Sequence, residues 1–295
     1  MFKNNKYFLF ILTLLLLNTE IYSQSEQEYL GVIKLNDSSF ISYRLNLLEN
    51  NNLISGYSIT DIGGDHETKS NIRGTYDNKT NILSFKEIGI VYTKSEISDY
   101  DFCYIHFKGK VNSVDSNKNI EGKFNGLYND GSTCINGEIK LRNIQKIEKR
   151  AEKIDKLIQK SKQVDKTIKS TISVAQTLDS LKMNILKPNQ NLTMFSNSSK
   201  LELKIYDAGK VDGDKINVYV NDTIFLRNYV VSKKIKQLTI PLKSKLTSIK
   251  VEALNIGTIS PNTAKIEIID QENNINTLTH LKKGEKTSIT IVKNN

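Results

Sequence analysis

Between residues 27 and 141 apolar and polar side chains alternate in short runs, and turn formers cut the runs apart. Tyr29–Leu35, Phe40–Leu48, Leu53–Thr60, Thr68–Tyr76, Ile82–Tyr92, Phe102–Val111, Asn119–Leu127 and Cys134–Leu141 each carry the alternation. Asn36-Asp37, Asn50-Asn-Asn52, Gly63-Gly-Asp65, Asp77-Asn78, Ser113–Asn117 and Asn129-Asp-Gly131 lie between them. A period of two puts successive side chains on opposite faces of a sheet, while Asn, Asp and Gly accept the backbone of tight turns. The pattern predicts some eight strands in antiparallel, up-and-down order. Closure into a small barrel is the economical way to remove the two sheet edges. Gly56, Gly74, Gly109, Gly122, Gly126 and Gly137 fall inside the runs, where glycine marks strong curvature or a bulge.

The period then changes. Glycine is absent between Gly137 and Gly209, and Ile144, Ile147, Ala151, Ile154 and Ile158 recur three and four residues apart among Lys, Arg and Glu. That spacing predicts an amphipathic helix. The stripe falters at Ser161 and Asp165 and resumes through Ile168, Ile172, Ala175 and Leu178. A kink is expected in the β-branched run Thr167–Val174, and an end at or before Lys187, ahead of Pro188. The apolar stripe has two places to go: against a neighbouring domain, or against a second copy in self-association.

Alternation returns at Leu201, Leu203 and Ile205 and continues through Lys215–Val220, Thr223–Val231, Ile235–Leu242, Ser248–Asn255, Ala264–Ile269, Ile275–His280 and Thr287–Val292. Short strands at this density predict a β-sandwich of immunoglobulin-like architecture. The fold expected is all-β with a connecting helix. A barrel covers 24–141, the amphipathic connector 142–187 and the sandwich 188–295.

Residues 1–23 stand apart. Lys3 and Lys6 precede the apolar run Tyr7–Leu17, and Ser23 offers a small residue for cleavage, the pattern of an export signal. The run is about half of the ~20 residues a spanning helix needs. The mature chain is therefore expected outside the cytoplasm (periplasmic, outer-surface or secreted), with no transmembrane segment. Export permits a disulfide, and Cys103 and Cys134 are the pair; two buried thiols are the alternative.

The formal charge of +10 divides unevenly. Residues 24–141 carry 12 basic and 16 acidic side chains, residues 142–187 carry 12 and 5, and residues 188–295 carry 16 and 10. A phosphate-backbone reader would want a basic module with aromatics or a groove-reading element, and the basic connector has no aromatic residue. Nucleic acid is not an expected partner. A protein or polysaccharide at the cell envelope is.

Candidate chemistry is sparse. Asp207-Ala-Gly-Lys-Val-Asp-Gly-Asp214 crowds three carboxylates beside two glycines, and the connection Asn255–Asn262 is expected at the same end of the sandwich. Asp207, Asp212, Asp214, Asn255 and Asn262 would supply part of the six to eight oxygens that Ca2+ takes. The other reading is a plain turn whose carboxylates meet local amides, with Lys210 and Lys215 balancing the charge. Lipocalin-like and streptavidin-like barrels hold a small ligand inside. Arg44, Glu87 and His106 are the polar strand residues that would meet one if they face inward. His66, His106 and His280 are the only histidines, and no Ser or Cys elbow stands beside them in sequence. A hydrolase would need paired carboxylates drawn from distant strands.

Gly56-Tyr-Ser-Ile-Thr-Asp61, Ile72-Arg-Gly-Thr-Tyr76 and Asp130-Gly-Ser-Thr-Cys-Ile-Asn-Gly137 resemble segments of exported proteins of Bacteroidota-type bacteria. Tyr206-Asp-Ala-Gly-Lys-Val-Asp-Gly-Asp214, Val218-Tyr-Val-Asn221 and Ala253-Leu-Asn-Ile-Gly-Thr-Ile-Ser-Pro-Asn-Thr-Ala264 resemble a C-terminal module recurring in such proteins. The resemblance implies export and an accessory β-sandwich, and attaches no activity. The expected function is a non-catalytic binding or cell-envelope protein. A carrier of small hydrophobic ligands and a carbohydrate-active hydrolase are the alternatives.

Overall fold

The computed structural model of the chain describes residues 26–35, 39–96, 101–114, 117–165, 169, 173–175, 178, 182–209 and 211–294. The expected export signal lies outside them. Among the described residues no helix is long and apolar enough to cross a membrane.

The first eight strands are β1 (Glu26–Leu35), β2 (Phe40–Asn50), β3 (Leu53–Thr60), β4 (Thr68–Asp77), β5 (Ile82–Thr93), β6 (Tyr104–Val114), β7 (Asn117–Leu127) and β8 (Thr133–Asn143). Each pairs antiparallel with its sequence neighbour, and β1 pairs with β8 through Ile33 opposite Ile139. The meander is a closed barrel. Asn51 and Asn52, both at positive φ, form the two-residue turn between β2 and β3, the backbone that matches strand twist.

Alternation decides which side chains fill the barrel. Tyr43, Leu45 and Leu47 of β2, Leu83 and Phe85 of β5, Ile105 and Phe107 of β6, and Ile139 and Leu141 of β8 form one buried cluster. Space is made for them by missing side chains: Gly109 faces Gly122 across β6 and β7, and the Phe107 ring occupies the place a Cβ on either would need. Cys103 and Cys134 form the disulfide, with Cα atoms 6.0 Å apart. Gly126 lets it in, since a Cβ there would lie 2.4 Å from Cys103 Sγ.

The helix α1 (Ile144–Lys160) begins directly after β8, with the Asn143 side chain accepting from Gln145 N–H. It does not run on toward Pro188 as the stripe predicts. Ser161 is extended, and the chain doubles back: Gln159 bonds the Lys169 carbonyl, Asp155 accepts from Val174 and Ala175 N–H, and Glu148 pairs with Lys182. Polar residues at Ser161 and Asp165 interrupt the apolar stripe, and Lys169, Val174 and Ala175 come back alongside the helix. Ile168 and Ile172 lie outside the described residues.

The returning chain enters a sandwich earlier than the alternation suggests. Two short strands, β9 (Asn184–Leu186) and β10 (Asn191–Ser196), precede β11 (Lys200–Tyr206), β12 (Lys215–Val220), β13 (Thr223–Val230), β14 (Lys236–Pro241), β15 (Leu246–Ala253), β16 (Lys265–Ile269), β17 (Asn274–Thr279) and β18 (Lys286–Lys293). One sheet has the order β14-β11-β16-β17-β9. The other runs β13-β12-β15-β18-β10 and continues into the barrel wall, because Thr193 and Met194 of β10 pair with Thr93 and Tyr92 of β5. Leu203, Ile205, Ile266, Ile268, Val218, Val251, Ile289 and Met194 fill the space between the sheets, together with Val91 and Tyr92 from β5. One long strand thus lends its first half to the barrel and its last residues to the sandwich.

Candidate functional site

Of the three strand residues expected to face a barrel ligand, only Glu87 points in. It accepts from Ser58 Oγ at 2.5 Å, Ile105 N–H at 2.8 Å and the Tyr43 hydroxyl at 3.3 Å. Burial pushes its carboxyl above the usual range, and those three donors pull against the shift. Arg44 follows the inward Tyr43 and precedes the inward Leu45, so it sits on the outer wall, its Nε 3.0 Å from Glu28. His106 lies between the inward Ile105 and Phe107 and is half-exposed on the outside. Burial and the Lys86 charge lower its pKa. At the barrel mouth, Tyr29, Leu47, Ile54, Leu83 and Val111 leave a pit of about 20 Å³. That is room for one water.

The two sandwich loops do meet. Asn255 accepts from Lys215 N–H at 2.7 Å and donates to the Gly213 carbonyl at 2.8 Å. Asp212 accepts from Ile259 N–H, Asp214 from Thr263 N–H at 2.7 Å, and Asp207 from Gly209 N–H at 2.7 Å. The Asn262 amide donates to the carbonyls of Lys215 and Asn255. Each aspartate therefore turns one oxygen toward a backbone amide, as a turn would ask. Among the described residues no three His, Cys, Asp or Glu side chains are grouped to hold a metal. The buried oxygens of the clasp with no hydrogen-bond partner are Oδ1 of Asp214 and Oδ1 of Asn262, in residues 1% and 0% exposed. Burial, then the charges of Asp212 and Asp207, raise the Asp214 pKa. Lys215 joins the clasp through its backbone, and Lys210 lies outside the described residues.

A third place, not foreseen from the sequence, lies where the barrel, the helical return and the sandwich touch. Across four barrel strands Arg44 is paired with Ile59, Ile59 with Lys69, and Lys69 with Tyr92. The register makes a single row of these residues on the outer wall. Met183, Asn184 at the start of β9, and Asn274 and Asn276 of β17 line the same space as the row, and it holds about 140 Å³. Lys69 lies over the Tyr57 ring at 4.0 Å, and burial, then the Arg44 charge, lower its pKa. Asn184 is 7% exposed, and neither its amide nitrogen nor its amide oxygen has a partner.

Beside this pocket the junction is held by a buried ion pair. Lys94 Nζ lies 3.6 Å from Glu67 and donates to the Ile185 carbonyl of β9 at 3.0 Å. Glu67 also accepts from the Tyr92 hydroxyl at 2.8 Å and from Gly63 N–H at 2.6 Å. None of Glu67, Lys69, Lys94 and Asn184 carries a motif. Only the pairing register and the return of the chain bring them together.

The buried carboxylates fall in three places: Glu87 inside the barrel, Glu67 at the junction, and Asp207 with Asp214 at the sandwich loops. A hydroxyl does reach a histidine in space, since His66 Nδ1 lies 3.2 Å from Ser95 Oγ on the exposed surface. Neither protein-family models, curated proteins nor solved structures give a match to the chain. Its chemistry must be read from its own residues.

Proposed function

We propose that the chain is an exported, non-catalytic binding protein of the cell envelope, with the β-sandwich as its interaction module and the barrel as a rigid base. One observation carries this reading: the barrel is packed solid with its own side chains, while β5 continues from its wall into the sandwich. A carrier needs a hollow interior, and a pit of about 20 Å³ speaks against that use. A rigid strand shared by two bodies is what a platform that presents loops requires. The partner class is protein or polysaccharide on the outer side of the membrane. Co-sedimentation of the full chain with isolated envelope polysaccharide and with envelope protein fractions tests it. Saturable binding to either is expected; turnover of glycoside or ester substrates, or binding to neither fraction, would sink the reading.

Calcium at the sandwich loops is a narrower reading, favoured by the two unpartnered oxygens of Asp214 and Asn262. These two would hold the ion, with Asp212 balancing its charge. Millimolar Ca2+ should then raise Tm in the parent chain and not in Asp212→Ala. A parent Tm indifferent to Ca2+ leaves the loops as a clasp made of turns.

A further inference from the structure

We propose that the pocket between the barrel wall and the start of β9 binds a small hydroxylated carboxylate, of the size of a hydroxy acid or sugar acid. This goes beyond the envelope-binding role and does not depend on it, since the pocket lies at the junction and not on the presenting loops.

The charge of the pocket points to an anion. Arg44 is paired with Glu28, Lys94 with Glu67, and Lys182 with Glu148. Lys69 has an aromatic ring beneath it, a contact that orients the ammonium without neutralising it. Its row-mate Arg44, although paired with Glu28, still repels Lys69 across the same wall and helps depress the Lys69 pKa. An anionic oxygen placed between two cations relieves that repulsion in a site partly withdrawn from water.

The need for a hydroxyl comes from Asn184. A buried amide that leaves both a donor and an acceptor unmade costs ~1–3 kcal/mol for each orphaned group, so native structures rarely keep one. A ligand hydroxyl satisfies both halves of an amide, accepting from Nδ2 and donating to Oδ1. Asn274 and Asn276 line the same side and widen the polar wall. Size limits the rest: about 140 Å³ is close to the ~150 Å³ of a cavity that takes one six-membered ring, which suits a compact polar molecule and not a lipid chain.

Titration calorimetry and thermal shift on the full chain test this, with D-glucuronate as probe and glucose at matched ionic strength as the uncharged control. Glucuronate should release heat and raise Tm, while glucose does neither. Lys69→Met and Asn184→Leu should each weaken the apparent Kd by ~10-fold or more, as expected when a charge-assisted or buried hydrogen bond is lost. Should either variant fail to fold, Asn184→Asp, nearly the same shape with an added negative charge, must abolish binding. Silence with glucuronate and gluconate alike overturns the proposal. So does an equal response to glucose, undiminished affinity in Asn184→Asp, or binding of inorganic phosphate in place of the carboxylates.

Discussion

The barrel interior and the junction are built from the same kinds of residue and end in opposite states. Inside the barrel a lone carboxylate, Glu87, is met by three donors, and the space around it is closed by Tyr43, Leu45, Phe85 and Phe107. At the junction Glu67 and Lys94 are equally buried and paired, yet a few residues away Lys69 has only a ring for company and Asn184 has no partner. A closed meander chooses every neighbour through one continuous register, so its interior can be filled from local alternation. The junction is the meeting of two surfaces already fixed by their own sheets, and what does not match is left as a pocket. Unmet chemistry therefore collects between the bodies and not inside the barrel.

Lys94→Met tests the junction most severely. It strips a buried carboxylate of its cation and the Ile185 carbonyl of its donor, and breaking such a pair costs about 3–5 kcal/mol. Chemical denaturation should show that loss in one cooperative transition, because β5 belongs to both bodies. Two separated transitions would mean the bodies unfold independently, and the contrast drawn above would fail.

Removing the barrel staple comes next. Cys103→Ser with Cys134→Ser opens a sequence separation of 31 residues, a loop whose closure is worth about 3–4 kcal/mol. Stability should fall by that much with the ligand response of the junction intact. A lost ligand response would show that barrel strain reaches the pocket.

Glu87→Leu sharpens the interior side of the comparison. It leaves Ser58, Tyr43 and Ile105 N–H without an acceptor, at a cost of about 3 kcal/mol once the relief of burying a carboxylate is set against it. The sign of its pH dependence is fixed by the direction of the shift. A carboxyl whose pKa is raised on folding gives its full stabilisation below the unfolded value, and loses it as pH rises through the folded one. The deficit of Glu87→Leu relative to the parent should thus be largest in acid and shrink toward neutrality. Paired urea melts across that range read it directly, and a deficit that grows with pH would contradict the assignment.

The smallest effect is expected at the sandwich loops. Asp214 also has a raised pKa, so the parent loses stability there as pH rises through its folded value. Asp214→Asn removes that loss and should be stabilising at neutral pH by ~1 kcal/mol or less, with a flatter pH profile. Destabilisation at neutral pH would indicate that the carboxylate charge is itself needed, as a bound cation would require.

Much of this architecture can be read from residue order. Alternation over 27–141 and 199–295 marks most strands, the turn residues mark their ends, and the absence of any helical period within them argues for all-β units. The placement of Arg44 was also within reach, since a residue between Tyr43 and Leu45 has to face the other side of the sheet. The helical return was not, because a stripe that fades at Ser161 and resumes later fits one kinked helix as well as two segments folded back. The strand β9 is three residues long, too short for a period to declare itself, whereas β10 carries an alternation as long as that of β12.

The loop clasp was anticipated as a meeting of Asp207–Asp214 with Asn255–Asn262, because successive hairpins return their loops to the same end. Which oxygen meets which amide depends on backbone angles that composition does not set. The junction lies further still from the sequence. Lys69, Tyr92 and Asn184 come from three elements, and their encounter needs the register of four barrel strands and the doubling back of the helical chain. Alternation is local and fixes faces; adjacency across strands is non-local and fixes sites. The order of residues alone determined a barrel, a helix and a sandwich. Tertiary structure decided that the barrel is filled by its own side chains, that its fifth strand is shared, and that Lys69 and the unpartnered amide of Asn184 line one pocket.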